Sequence, residues 1–426
     1  MFGLCPNDGF PNKSIDKNYE LRYNSICIAS DRYGNSIIER HNEMKKITCM
    51  FLIILVLAAT SVFSQTITIS GNAPTVTGDP GGINTELNNA FNGLKDQLGE
   101  QIGSLNIAPE NLIRAFGNSS VYASQGGATQ RGYSGYKSFA FTFGPSVGLQ
   151  IPVSPFEIMD LINGNPNGDP LKDIFGDIFE TGDMTFGLNP QVINAQIGFN
   201  TSFLMKNLYL GLRVGFTPDI GKIEGLGELM GDMGGMKLSF SNFMIGVTAN
   251  YQLIDSVKIL GLITWRGINV GSGFIFQNTK LGITYPVGDF EQQLGGSHTN
   301  LSLKANPELY FNANITTFTI PLEIMTAINL IFINIPIGVG VDFAFGESAM
   351  NIGMRSDIDI VGTYSNPINP GNLTIDAGGA VGPQFANLKL MSGIGIALGP
   401  VIIDIPVTWY FKDNGLNVGF TFGVVY

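Results

Sequence analysis

In Leu208-Tyr209-Leu210-Gly211-Leu212-Arg213-Val214-Gly215-Phe216 every even position is apolar and every odd one is tyrosine, glycine or arginine. A period of two is that of a β-strand with one apolar face, because successive side chains point to opposite sides of a sheet. Just upstream, Ile193–Phe203 sets Ile, Ala, Ile, Phe, Thr and Phe against Asn194, Gln196, Gly198, Asn200 and Ser202. The chain closes the same way, with Leu416, Val418, Phe420, Phe422, Val424 and Tyr426 on one face. Phe139–Ile151, Phe243–Leu253, Ala305–Ala313, Phe318–Ile328, Ile333–Phe345, Leu373–Val381, Leu388–Leu398 and Val401–Phe411 repeat the theme. Lys258–Phe276 is strand-like too, although Arg266 falls among its apolar positions.

Composition removes the competing classes. Of 426 residues 44% are hydrophobic, only 13% are charged and 55 are Gly, against about 25% charged and about 7% Gly in an average soluble protein. So apolar a chain does not stay disordered. A net charge of −11 with no basic cluster argues against nucleic acid. Helical membrane spans need uninterrupted apolar runs of about 20 residues, and Gly, Asn, Thr or Asp break every such run in the later chain.

Period two repeated over nine to thirteen residues predicts an all-β transmembrane antiparallel β-barrel of about 12–14 strands. A soluble sandwich also alternates, but three features favour the membrane. The strands exceed the usual five or six residues. Their polar faces carry Gly, Asn, Thr and Ser, as a lumen lining would. The connections alternate between tight ones (Met205-Lys206-Asn207, Asp255-Ser256) and long ones (152–189, 217–236, 277–299), which matches the turns and loops of outer-membrane barrels.

The N-terminal part reads differently. Residues 1–43 look like an upstream extension absent from the mature protein, and 44–64 have the basic start, ten-residue apolar core and small-residue end of a cleaved signal peptide. Cys5, Cys27 and Cys49 all precede Gln65, and from Gln65 onward 16 Lys+Arg stand against 28 Asp+Glu. Residues 65–136 form a plug or periplasmic segment, with helices near 84–105 and 109–116, and 137–426 form the barrel. In the first helix Leu87, Phe91, Leu94 and Leu98 recur at intervals of three and four, making one apolar plug face. Pro109 suits the first turn of the second.

A signal peptide, a cysteine-free mature chain and a last strand ending Phe422-Gly423-Val424-Val425-Tyr426 resemble Gram-negative-type outer-membrane β-barrel proteins. That resemblance implies residence in outer-membrane lipid and a C-terminal assembly signal (Phe420, Phe422, Tyr426) read by the barrel-assembly machinery. Helices ahead of the strands resemble, in architecture, the long-chain fatty-acid transporter (FadL-like) family, which implies a hatch inside the barrel and a small or hydrophobic solute. The Gly-rich style is also similar to spirochaetal surface proteins, some of them adhesins.

With the apolar faces toward lipid, the candidate lumen-lining residues are Arg213, Lys304, Glu308, Glu323, Asp342, Asp376, Lys389 and Asp404. Pro152, Pro321, Pro336 and Pro406 each follow an apolar-polar-apolar triplet on inward parity. Proline cannot donate to a ladder, so they are candidate strand kinks. Catalysis is not expected: past Gln65 the chain has one His, His298, in a loop, and no Cys, so no cofactor or metal is expected either. The reading is an outer-membrane barrel allowing passage of small or hydrophobic solutes. Its alternative is a surface adhesin or antigen whose long extracellular loops bind host or matrix molecules.

Overall fold

The computed structural model describes residues 66–78, 80–104, 109–125, 138–151, 186–222, 237–286, 289–294, 301–362 and 366–426. The extension 1–43, the signal peptide 44–64, Pro152 and His298 lie outside the described residues, as do most of the loops 152–189 and 217–236 and the side chain of Leu98.

Two short strands, β1 (Thr66–Asn72) and β2 (Thr75–Val76), precede the helices α1 (Ile83–Ser104) and α2 (Pro109–Ala123). The strands β3 (Phe139–Gln150), β4 (Gly187–Asn200), β5 (Leu208–Thr217), β6 (Lys237–Ile254), β7 (Val257–Leu260) and β8 (Ile263–Pro286) follow. Next come β9 (Phe290–Gln293), β10 (Ser302–Leu330), β11 (Ile333–Val361), β12 (Ile368–Asn369) and β13 (Gly371–Val381). The last four are β14 (Ala386–Leu398), β15 (Val401–Tyr410), β16 (Gly415–Gly419) and β17 (Thr421–Val425). Among the described residues no helix is long and apolar enough to cross a membrane.

All pairings are antiparallel, and their hydrogen bonds form a ring. It runs β3-β4-β5-β6-β8-β10-β11-β14-β15, and then β16 and β17 pair both β15 and β3. β16 and β17 are one strand in one register, interrupted at Phe420, whose N–H donates to the Pro145 carbonyl. Counted by ladder among the described residues, the ring has ten positions where the alternation predicts about 12–14. The difference arises because Ala305–Ala313 and Phe318–Ile328 read as two strands but belong to a single 29-residue β10, and because Leu373–Val381 is β13, which pairs β11 and β1 outside the ring. Residues 277–286, expected in a long loop, are the far end of β8; their alternation is weak because Asn278, Lys280 and Thr284 occupy the face that is apolar lower down.

β10 before Glu308 and β11 beyond Glu347 run past their ring partners β8 and β14 and join β9, β13 and β1 in a further layer, or head. β1 was not expected as a strand: seven residues with two Ile carry too little pattern by themselves, and pairing with β13 selects the conformation. α1 packs its apolar stripe on this layer, where Ile83, Leu87, Phe91 and Leu94 meet Leu303, Met354, Ile358, Leu373 and Ile375.

The turns 201–207, 255–256, 261–262, 331–332 and 399–400 lie at one end of the ring; the long connections 151–186 and 218–236, and with them the four-residue turn 411–414, lie at the head end. The two-residue turns Ile331-Phe332 and Gly399-Pro400 both start with a positive φ, +57° at Ile331 and +64° at Gly399. A β-branched residue is strained there, whereas glycine is not. Ile331→Gly is expected to raise stability by about 1 kcal/mol, read as a higher urea midpoint for the protein in micelles.

Candidate functional site

The ring is apolar outside and polar within. Outward positions such as Leu210, Leu212, Val214, Phe216, Ile245, Val247, Leu322, Ile324, Ile337, Val339, Leu388 and Ile394 are exposed, forming a belt far beyond the few hundred Å² of apolar patch that soluble proteins tolerate. Inward positions include Asn189, Gln191, Asn194, Asn242, Gln277, Thr279, Thr317 and Thr319, all buried. That inversion is stable when the belt faces hydrocarbon and the polar groups bond one another. Thr279 Oγ1 accepts from Asn189 Nδ2 at 2.8 Å and from Asn242 Nδ2 at 2.7 Å, and Gln191 Nε2 donates to Gln277 Oε1 at 3.1 Å.

α2 contacts the inward faces of β3, β4, β10, β11 and β16. It approaches because glycines lower the wall: a Cβ at Gly148 would collide with the Ser119 carbonyl and the Ala123 N–H, and one at Gly187 with the Ala115 carbonyl. The first half of α2 makes apolar contacts, with Leu112, Ile113 and Phe116 packed among Ala313, Ile315, Met350 and Val381, and its second half makes polar ones. Asn118 Nδ2 donates to Gln150 Oε1 at 2.9 Å, the Gln384 N–H donates to Asn118 Oδ1 at 2.7 Å, and Ser120 Oγ lies 3.4 Å from Thr279 Oγ1. Gln384 sits where the line of β13 and β14 along β11 is interrupted at Gly382–Phe385, so the wall dips to meet the helix.

Beside α2 is a charged cluster. Lys389 Nζ lies 2.5 Å from Glu323 Oε1 and 2.6 Å from Asp342 Oδ1. Tyr410 Oη donates to Asp342 Oδ2 at 2.9 Å, and its ring stacks on Tyr122 of α2 with centroids 4.0 Å apart. Asp342 and Lys389 are 0% and 1% exposed. Buried ions remain charged only when paired this closely, since desolvation otherwise exceeds their attraction. Arg213 is buried on β5 and feels the charges of Glu323 and Asp342.

The predicted residues therefore divide. Glu323, Asp342 and Lys389 come together, with Arg213 in their field; Asp404 is buried on β15 outside that cluster. Lys304, Glu308 and Asp376 must be corrected. The register puts them on the outward face of the head, where Lys304 pairs with Asp289 at 2.7 Å and Glu308 with Arg355 at 2.9 Å. Parity flips sides when a segment's apolar face packs on a helix instead of lipid, and Leu303, Ala305, Leu373 and Ile375 face α1. For the same reason the predicted plug face, Leu87, Phe91 and Leu94, meets the head, while the second helix contacts the interior. That helix runs to Ala123 rather than Phe116; its Asn118, Ser119 and Ser120 show no apolar stripe because their surroundings are polar.

Pro321, Pro336 and Pro406 sit within strands. Each interrupts pairing on one side, toward β8, β14 and the last strand, and the register is the same above and below it. They open hydrogen bonds without inserting a bulge. Phe420, Phe422 and Tyr426 all point outward. Sequence reasoning missed Tyr122 and Tyr410; the even-numbered inward parity of β15 would have found Tyr410.

The Lsa36-like family model matches residues 64–424. The chain belongs to the Lsa36-like family. No curated protein matches this Lsa36-like chain. Solved structures similar to it include the translocator domain of autotransporter NalP from Neisseria meningitidis, at 7% identity and a TM-score of 0.26, with 68% of this chain and 88% of that one covered. A major outer membrane protein from Thermus thermophilus shows 10% identity and a TM-score of 0.22, covering 58% of this chain and 100% of the other. The toluene transporter TodX of Pseudomonas putida shows 9% identity and a TM-score of 0.21, covering 74% and 98%.

Proposed function

We propose that this Lsa36-like protein is an outer-membrane barrel that passes small solutes when α2 moves, with α2 as its plug. The observation that carries the proposal is a contrast between two helix interfaces. α1 is fixed by an apolar core of Ile83, Leu87, Phe91 and Leu94. α2 has a smaller apolar anchor, Leu112 and Ile113 against Ala313, Ile315, Met350 and Val381, and beyond Phe116 it is held by amides, hydroxyls and a tyrosine stack. Water replaces such hydrogen bonds at a net cost of about 1 kcal/mol each, so the Asn118–Tyr122 half of α2 can leave the polar interior far more readily than α1 can leave its core. The buried ions support the reading: a barrel serving only as a mount gains little stability from a buried Lys389–Glu323–Asp342 cluster. Hydrophobic solutes are the narrower version of the proposal. Export through a cleaved signal at 44–64 and assembly through Phe420, Phe422 and Tyr426 belong to it as well.

A disulfide clamp tests it. Ser120 Oγ and Thr279 Oγ1 are 3.4 Å apart, and the chain has no Cys after Cys49. The Ser120→Cys, Thr279→Cys pair is expected to block solute flux into vesicles when oxidised and restore it on reduction. Equal flux in both states, or none in either, rejects the reading.

A second reading is favoured by the head. β10 and β11 have 29 residues each, where about 9–11 span a bilayer. The surplus holds a sheet at the long-loop end, the extracellular side in outer-membrane barrels, where it is placed to bind host or matrix molecules. Loss of such binding on replacing residues of the head, with flux intact, would favour this second role.

A further inference from the structure

Where the outward belt of β8 and β10 ends, a hollow of about 440 Å³ lies among Ser239, Lys280, Gly282, Asn312, Asn314 and Asn351. The register places Lys280 beside Asn314, with Ser239, Gly282, Asn312 and Asn351 in the next row outward from the belt. Gly282 leaves the space open: a Cβ there would come within 3.2 Å of Asn312 Oδ1 and 3.6 Å of Ser239 Cβ. Asn278 Nδ2 donates to Asn314 Oδ1 at 3.2 Å, so the Asn314 amide turns its own NH2, a donor, to its other neighbours. Lys280 is exposed and makes no ion pair among the described residues. The carboxylates nearby are Glu347, in the row beneath, and Asp219, which accepts the Ser239 hydroxyl at 3.1 Å.

Two rows from Lys280 toward the belt, Phe276, Phe318 and Phe345 stand side by side on β8, β10 and β11, with centroids 5.2 and 5.5 Å apart. Two rows are about 13 Å of strand, and less along the normal of a tilted strand. The headgroup zone on each side of the hydrocarbon is roughly 5–8 Å deep, and a lysine side chain reaches several ångströms further. A cation and amide donors thus stand at the depth of lipid phosphate, directly over an aromatic surface at the depth of acyl chains.

We propose that this hollow binds the phosphate of an anionic bilayer lipid, whose acyl chains lie on Phe276, Phe318 and Phe345. The proposal rests on the belt being the lipid-facing surface. Its test uses the full chain in vesicles of phosphatidylcholine with a trace of spin-labelled phosphatidylglycerol or spin-labelled phosphatidylcholine, the immobilised fraction of each label giving relative association. The wild type is expected to prefer phosphatidylglycerol about fivefold, the worth of one lysine near a membrane surface. Lys280→Gln, and separately Gly282→Val, which keeps the charge but fills the hollow, are each expected to abolish that preference. Inorganic phosphate at constant ionic strength is expected not to release the lipid, because the acyl contacts are absent from it. An unchanged preference in Gly282→Val would show surface charge alone, and release by phosphate would show a free-anion site; either overturns the proposal. Failure to insert into the vesicles would instead reject the membrane reading beneath it.

Discussion

Lys389→Met is expected to lower stability by about 3–5 kcal/mol, the loss that follows when one member of a buried ion cluster is removed. Lys389 Nζ is shared between Glu323 at 2.5 Å and Asp342 at 2.6 Å, and Asp342 is fully buried. Without the ammonium, two carboxylates that faced it remain in the interior, where the charge that still opposes theirs is that of Arg213. Asp342 keeps the Tyr410 hydroxyl as a donor at 2.9 Å, which is a weaker substitute for a charge. Urea unfolding in micelles, followed by the heat-modifiable shift on gels, measures the loss. Adding Glu323→Gln and Asp342→Asn to the same chain is expected to recover most of it, since the desolvated charges disappear together. A Lys389→Met midpoint equal to the wild type would mean that water reaches the cluster.

Much of this architecture is legible in the sequence, and the reason is physical. Leu210, Leu212, Val214 and Phe216 alternate with Gly211, Arg213 and Gly215 because a barrel wall has a different solvent on each side, so period two persists over the whole strand. The same regularity brought Arg213, Glu323, Asp342 and Lys389 to the inward face. It misled at Lys304, Glu308 and Asp376, where the wall has left the belt: there the inner face is apolar against α1 and the outer face carries the charges. Alternation reports which two faces differ, never which of them meets lipid. The helices show the complementary limit. α1 announces itself by Leu87, Phe91 and Leu94, whereas the interior half of α2, Asn118 to Ser120, has no pattern to read because the wall it meets is itself polar. Tyr122 and Tyr410 stack from segments 288 residues apart, a contact that docking of α2 on β15 creates and local spacing cannot encode.

The unusual glycine content acquires a location in the same way. Gly148, Gly187 and Gly415 all face α2, and a side chain on any of them would strike the helix backbone or the Tyr122 ring. Part of the glycine excess therefore makes room for α2 against the wall strands, beyond what strand-lining alone requires.

That arrangement makes Gly148→Leu the sharper test of the plug. Its Cβ would collide with the Ser119 carbonyl and the Ala123 N–H, which are backbone atoms and cannot swing aside as a side chain would. Overpacking of this kind costs about 1–3 kcal/mol, and here the cost falls on the docked helix alone, because Gly148 belongs to a wall strand whose ladder with Asn189 and Asn417 involves only its backbone. Each 1.4 kcal/mol is tenfold in a population, so the undocked fraction of α2 is expected to rise by roughly 10- to 100-fold. Planar-bilayer recordings should show that rise as more frequent openings of unchanged amplitude, since the ring that sets the amplitude is intact. Proteolysis supplies an independent measure, with cleavage between α2 and β3 accelerating in parallel. If Gly148→Leu folds, shows the heat-modifiable shift and conducts no more often than the wild type, α2 does not gate the interior, and the head becomes the part of the molecule that carries function.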